Sequence, residues 1–345
     1  MNHSAVDPLS LSLPPGFEAL ADDERLAPAI SEALSSVEEQ LLAALSSDDE
    51  LADTSSRYLA EAGGKRIRPL LTILTSLLGD GPDDSVRRAA VVMEMIHLAT
   101  LYHDDVMDSA PVRRGAPAAH EVWGNSVAIL TGDLILARAS RMMSELDLEG
   151  SQVQARTFER LVMGQLHETV GPRTGEDPYD HYLQVIADKT GSLVAAAARL
   201  GGHYGGCTAE TAALLDTYGE AVGVAFQLAD DVIDLTSDAE ASGKTPGTDL
   251  REGVPTLPVL LLRAAAADGD AAAAEALALV DGDLTDDDAL AAAVAAVVAH
   301  PVTDRAWEIA HEWSRRAAEA LTDLPESTIK SALLAFADAV VDREG

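Results

Sequence analysis

The sequence predicts an all-α fold, a bundle of long helices, and three observations carry that reading. Hydrophobic residues make up 47% of the 345 residues but aromatics only 4%, so alanine and the aliphatics fill the apolar positions. That composition favours packed helices over sheets. Apolar residues recur at three- and four-residue spacing, as in Ile30, Leu34, Val37, Leu41 and Leu45, the period of a helix with one buried face. Glycine, proline and aspartate clusters separate segments of mostly about 15 to 30 residues, long for globular helices and suited to a bundle.

Taken in order, residues 1–27 carry Pro8, Pro14, Pro15 and Gly16 among polar residues. They read as an N-terminal arm, poorly ordered or laid on the surface. The helical pattern starts at about residue 28. Breaks are expected at Gly63-Gly64, Gly79 to Pro82, Pro111 to Pro117 and Gly171 to Pro178, then at Gly201 to Gly206, Gly243 to Pro258, Asp268 to Asp270 and Asp281 to Asp288. None is strong enough to split the chain, so residues 28–345 are expected to form a single all-helical domain.

Charge and cysteine usage exclude several function classes. Lysine and arginine number 24 against 58 acids, a net charge of -34. A phosphate backbone or an anionic lipid surface would be repelled, so no nucleic-acid partner is expected. The single cysteine, Cys207, rules out an intramolecular disulfide and a cysteine-based zinc cluster,. The first ten residues lack a basic and an apolar region, and no apolar run reaches about 18 residues. The expectation is a cytoplasmic chain with no transmembrane segment.

Two motifs stand out. LYHDDVMD at 101–108 and FQLADDVIDLTSD at 226–238 each place DDxxD after an apolar helical run. In so acidic a chain a single DDxxD is weak evidence, and the setting carries more weight. The acids of Asp48-Asp49-Glu50 and Asp286-Asp287-Asp288 lie beside polar loops, whereas these two follow MEMIHLATLYH and AVGVAFQLA. Carboxylates at the ends of core helices are costly unless a cation neutralises them. On a helix, positions i and i+4 lie about 5–6 Å apart on one face, so Asp104 with Asp108, and Asp230 with Asp234, each make a clamp. Hard oxygen donors without thiolates or paired histidines suit Mg2+ or Mn2+. Magnesium readily takes phosphate oxygens as further ligands, so two clamps suggest a diphosphate held by bridging metals.

Against this acidity the basic clusters are conspicuous. GGKRIRP gives Lys65, Arg66 and Arg68 straight after a glycine pair. Arg113 and Arg114 follow the first aspartate motif, Lys189 and Thr190 lie in DKTGS, and Lys244 lies in SGKTPG after the second motif. Arginine forks and lysine point charges are the usual diphosphate partners.

The ordered set GGKRIRP, HLATLYHDDVMD, RRG, WGNSVAILTGD, KTG at 189–191, FQLADDVID and GKTPGTDLREG resembles the all-trans polyprenyl diphosphate synthases, from about residue 30 to the C-terminus. The resemblance implies an isoprenoid-synthase-type helical bundle around a deep central cavity, paired as a homodimer. It implies about three Mg2+ per active site, with Asp104 and Asp108 binding two and Asp230 a third, supported by Asp105, Asp231 and Asp234. It places Arg113, Lys189 and Lys244 on the allylic diphosphate, with Thr190 and Gln227 nearby, and Lys65, Arg68, His97 and Arg114 on isopentenyl diphosphate. Membrane contact would be transient, at product release. One departure is Val254, where many members have a lysine after the glycine of DLREG; the contact that lysine makes to a diphosphate is not expected here.

Two other classes compete. A non-catalytic partner subunit usually loses aspartates from a motif, and this chain keeps all six. A terpene cyclase would not need GGKRIRP and Arg114 for a second diphosphate, and its second metal motif is normally of an Asn/Ser/Glu kind.

Product length is also legible. The growing chain is expected to run along the helix ending in Asp104, away from the diphosphates. Ala99 and Thr100 lie one turn below the clamp, where short-chain members commonly carry aromatics; Met95 and Ile96 lie two turns down and Val92 and Met93 three. Tyr102, two positions from Asp104, is roughly 200° round the helix and off that wall. Each turn rises about 5.4 Å, comparable to one isoprene unit, which gives a product of about 30 to 50 carbons, with 20 carbons as the alternative if another helix supplies a floor. Ala99→Phe should therefore shorten the product by several units and spare the first condensation, as read by mass spectrometry; an unchanged long product would remove this face from the product's path.

Overall fold

The computed structural model describes residues 15–17, 20, 23–237 and 246–342. Most of the expected arm, and Lys244, lie outside the described residues. The helices are α1 (Leu26–Leu45), α2 (Glu50–Glu61), α3 (Ile67–Ser76), α4 (Asp84–Met107), α5 (Ala119–Trp123), α6 (Asn125–Ser144), α7 (Leu148–Val170) and α8 (Pro178–Ile186). A π turn (Ala187–Gly191) leads into α9 (Ser192–Tyr204), followed by α10 (Ala209–Thr236), α11 (Thr248–Glu252), α12 (Leu257–Ala267), α13 (Ala271–Val280), α14 (Asp287–Val298), α15 (Val302–Ala320) and α16 (Thr328–Ala339). The all-α expectation holds. The departure is a two-residue hairpin in the Pro111 to Pro117 break, β1 (Val112–Arg113) against β2 (Ala116–Pro117). Its turn residues Arg114 and Gly115 both have positive φ, 54° and 78°, as a type I′ turn requires.

The acid excess outside the DDxxD motifs has a local use. Asp49, Asp83, Asp177, Asp270 and Asp286 each cap a helix, accepting backbone N–H bonds of its first turn. A carboxylate there meets unpaired donors and the positive end of the helix dipole. This accounts for the Asp48-Asp49-Glu50 and Asp286-Asp287-Asp288 clusters.

The chain divides into two compact units. The first comprises Met1–Glu159, Leu193–Gly219 and Asp323–Leu333; the second comprises Arg160–Ser192, Glu220–Thr322 and Leu334–Gly345. The first is built around α4, which packs on α1, α3 and α6. Val91, Val92, Met93, Met95, Ile96, Leu98 and Ala99 of α4 are all fully buried. A helix apolar all round is a core helix, so the aspartates at its C-terminal end emerge from the centre of this unit. Phe17 and Leu20 of the expected arm are also fully buried, and α1 begins at Leu26, two residues earlier than expected. In the second unit α12 packs on α8, α13 and α15. Leu235, Leu250, Val259, Leu262, Leu290 and Val297 form one apolar cluster there.

The glycines of the expected Gly201 to Gly206 break divide in two. Gly201 and Gly202 belong to α9, and the chain turns only after Tyr204. A Cβ at Gly201 would meet the Thr75 hydroxyl at 2.1 Å and the Thr72 carbonyl at 2.2 Å. That glycine is therefore a close-packing residue of the first unit, not a helix stop. Gly201→Ala would gain up to about 1 kcal/mol of helix propensity but overpack a backbone carbonyl, which costs about 1–3 kcal/mol. Net destabilisation in urea unfolding is expected; an unchanged or raised midpoint would show that α9 is free to shift.

Candidate active site

In the first unit, Gly63 and Gly64 carry φ of 93° and 150°, and Arg66 is left-handed at 48°. This bent loop brings its own carbonyls and the start of α3 together. Arg66 is a strut: its guanidinium forks onto Glu38 at 2.8 and 2.9 Å, reaches Glu94 at 3.0 Å and bonds the Ala60 and Gly63 carbonyls. Burial alone would lower its pKa, but Glu38 and Glu94 outweigh it and hold the charge. Arg114 donates to the Leu59 carbonyl at 2.7 Å and to the Gly63 carbonyl. Its guanidinium lies where a Cβ on Gly64 would be, 3.0 Å away, so the second glycine is needed for close approach.

Arg68 is treated differently. Its Nε is buried without a hydrogen-bond partner. Burial lowers its pKa, with Arg114 adding to the effect and Glu94 opposing it. His97 is half-buried on α4, and burial, then Arg68, Arg114, Arg113 and Arg66, push its pKa well below the usual value. It is therefore a neutral imidazole among cations. Lys65 is exposed at the rim of this cluster. Such an unsatisfied cationic group is costly to keep buried, and an anion there would relieve it.

At the end of α4 the first aspartate motif keeps its helical relation. The Asp108 N–H bonds the Asp104 carbonyl at 2.8 Å, with Asp108 itself the exposed cap residue. Asp105 is fully buried; Arg113 donates to its Oδ1 at 2.6 Å, while its Oδ2 is buried without a partner. Arg113 thus serves Asp105 while Arg114 turns to the glycine loop. His103 faces away, its ring against Gly132 and its Nε2 at 3.1 Å from the Ile129 carbonyl and 3.4 Å from Asp133. Met95, Ile96 and Ala99 are fully buried below the motif, and Thr100 bonds the His97 carbonyl. Tyr102 is tied to α2 through the Ser55 carbonyl and the Leu59 N–H.

In the second unit, Asp230, Asp231 and Asp234 lie near the end of α10. Asp231 is buried, accepting from the Tyr182 hydroxyl and from Gln227 Nε2 at 3.0 Å. Burial raises its pKa to about 6, against the lowering effect of those bonds. Asp249, whose N–H donates to Asp234 Oδ2 at 3.2 Å, is raised to about 7 by burial and then by Asp234, Asp231, Glu252 and Asp230. Lys189 and Thr190 lie in the π turn; Lys189 is paired with Glu168 at 2.5 Å, and the Thr190 hydroxyl bonds Gln227 at 3.3 Å. Asp249 stands in the GTDLREG segment, but Tyr182 and Glu94 are functional candidates that spacing alone does not reveal.

Taken unit by unit, the donors are hard oxygens of the kind a divalent cation takes: in the first, Asp105 keeps an orphaned buried carboxylate oxygen, and in the second, burial and then the neighbouring acids raise Asp249,. A surface cavity of about 390 Å³ lies elsewhere in the second unit, lined in part by Arg251, Val254, Arg263, Asp281 and Thr285. Its two arginines are already paired, Arg263 with Asp281 at 2.6 Å and Arg251 with Asp287 at 2.5 Å. Among the described residues no helix is long and apolar enough to cross a membrane.

Residues 49–297 match the Polyprenyl synthetase family, and the chain belongs to that family. It is 45% identical over 325 residues to the nonaprenyl diphosphate synthase of Mycobacterium tuberculosis, covering 94% of this chain and 96% of that one. Among solved structures it is similar to the geranylgeranyl pyrophosphate synthase of Corynebacterium glutamicum complexed with calcium and isoprenyl diphosphate, with a TM-score of 0.84 and 41% identity over 94% of this chain and 99% of that one. The polyprenyl synthase of Caulobacter crescentus, also complexed with calcium and isoprenyl diphosphate, matches at a TM-score of 0.84 and 31% identity over 96% and 99%.

The raised carboxyls set a pH dependence. Asp231 and Asp249 bind protons in the folded chain at pH values where the unfolded chain has released them. Between about pH 4 and pH 7, stability in metal-free buffer should therefore fall as pH rises. Asp249→Asn should flatten that slope in urea titrations; identical slopes for the two proteins would mean that Asp249 is not crowded in this way.

Proposed function

We propose that this chain is a Mg2+-dependent prenyltransferase that condenses isopentenyl diphosphate with an allylic prenyl diphosphate to an all-trans polyprenyl diphosphate. The observation that carries the reading is the pairing of two DDxxD motifs, each with a buried central carboxylate, with a separate arginine cluster holding an unsatisfied buried donor. Two anion-binding chemistries imply two diphosphates, and a single-substrate cyclase needs only one.

Asp104, Asp108 and Asp230 hold the metals, about three in all. Asp105, Asp231 and Asp234 orient or supplement them. Magnesium bound there supplies positive charge against the departing diphosphate. Lys189 leaves Glu168 for the allylic diphosphate, with Thr190 beside it; Arg113 adds charge from Asp105, and Lys244 completes the set. Lys65, Arg68 and Arg114 hold isopentenyl diphosphate, and neutral His97 gives it a hydrogen bond without adding charge. As the allylic C–O bond breaks, these fixed cations stabilise charge that grows on the leaving oxygen. The double bond of isopentenyl diphosphate attacks the allylic carbon, a new C–C bond forms, and the released diphosphate takes the lost proton.

A medium or long product, about 30 to 50 carbons and suited to a quinone tail, follows from the small residues Ala99 and Thr100 one helical turn below the motif. The nonaprenyl relative supports it, and the geranylgeranyl relative keeps a 20-carbon product as the second reading. A cytoplasmic homodimer completes the proposal. Ile129 and Leu130, exposed side by side on α6, are apolar residues that a second copy would cover.

Incubation with isopentenyl diphosphate, an allylic primer and Mg2+ should give polyprenyl diphosphates by mass spectrometry, and a cyclised or absent product would sink the reading. Asp104→Ala should cut turnover by at least roughly 10²–10³-fold, the scale for a major electrostatic stabiliser. Lys65→Ala or Arg68→Ala should mainly raise KM for isopentenyl diphosphate, and Lys189→Ala that for the primer. Equal defects toward both substrates in all three variants would count against two separate sites.

A further inference from the structure

The π turn at Ala187–Gly191 is held by a side-chain network that lies outside the residues assigned to substrate. In an α-helix the Ser192 N–H would bond the Asp188 carbonyl; here it bonds Ala187. The Ser192 hydroxyl takes the freed Asp188 carbonyl at 2.6 Å. Arg160 of α7 then pins the turn from outside. Its Nε donates to Asp188 Oδ1 at 2.6 Å, its Nη1 to Glu220 of α10 at 2.5 Å, and its Nη2 to the Ala187 carbonyl at 3.4 Å. Gln184 donates to the second Asp188 oxygen at 2.7 Å. Burial would lower the Arg160 pKa, but Asp188 and Glu220 outweigh it, so the fork stays charged. One turn along α7, a Cβ on Gly164 would lie 2.7 Å from the Lys189 backbone nitrogen and 3.1 Å from the Asp188 carbonyl carbon. On the opposite side, a Cβ on Gly191 would meet the Glu220 carbonyl at 3.2 Å. The turn is wedged between two helices at two glycines and locked by one arginine.

Single π turns inside helices mark functional positions because the extra residue re-aims the side chains that follow. Here it re-aims Lys189 and Thr190, and Thr190 reaches Gln227, which holds Asp231. We propose that Arg160 is a positioning residue for allylic diphosphate binding. It fixes the π turn through Asp188 and Glu220, and Gly164 admits the turn against α7. The inference rests on the reading of Lys189 as a ligand of the allylic diphosphate.

The test is a double-mutant cycle read by calorimetric binding of farnesyl thiolodiphosphate, an ionisation-resistant allylic analogue, with Mg2+. Arg160→Ala should weaken binding at least about tenfold, the scale of a lost charge-assisted hydrogen bond, and leave KM for isopentenyl diphosphate unchanged. Arg160→Lys keeps the charge but not the fork, so it should not rescue binding. In a Lys189→Ala background the Arg160→Ala step should cost little. Gly164→Ala should give the same signature with Arg160 intact, and it carries the cycle if Arg160→Ala does not fold. Equal losses in both backgrounds, or full rescue by lysine, would overturn the inference. If Lys189→Ala alone leaves analogue binding unchanged, the allylic assignment of Lys189 has failed, and the role of Arg160 falls with it.

Discussion

Carboxylates at the ends of buried helices are the constraint on which the rest of the structure depends. Asp105 lies at the end of a helix with no exposed apolar face, and Asp231 is buried near the end of another. Burying an ion without a partner costs several kcal/mol. The chain meets that cost in part. Arg113 takes one oxygen of Asp105, while Tyr182 and Gln227 serve Asp231. One oxygen of Asp105 is still orphaned and Asp231 and Asp249 still titrate high. In each unit, taken by itself, what remains is an electrostatic deficit that a cation would relieve.

The arginine cluster carries the opposite imbalance. Glu38 and Glu94 fix Arg66, and the Leu59 and Gly63 carbonyls fix Arg114. Arg68 Nε is left buried without a partner, and burial, then the cations around it, hold the His97 pKa well below its usual value. The acids of this region thus hold the scaffold of the cluster without cancelling all of its charge. An overall charge of -34 makes that local excess of cation more notable, because it survives against the whole chain's field.

Much of this was legible in the sequence, and the reasons are physical. Helical period and the two DDxxD runs gave the all-α fold and the helix ends that carry the acids, because burial and periodicity are both written in residue order. The hairpin at Arg113 and Arg114 was not legible, since a two-residue turn in a proline-rich break leaves no periodicity. Gly201 looked like a helix stop because a glycine needed for close packing and one needed for a turn are the same letter. Glu94, Tyr182 and Arg160 were missed for a related reason. Each acts through a partner between 28 and 60 residues away, and no local spacing encodes such a pairing.

The central claim is that these carboxylates bind metal together with a diphosphate. Calorimetric titration of Mg2+ into the protein, with and without the thiolodiphosphate analogue, tests it most directly. The account predicts weak Mg2+ binding to the protein alone, and tight uptake of about three ions once the analogue is present, as charge neutralisation by both partners requires. Analogue binding that is equally tight in EDTA would contradict it.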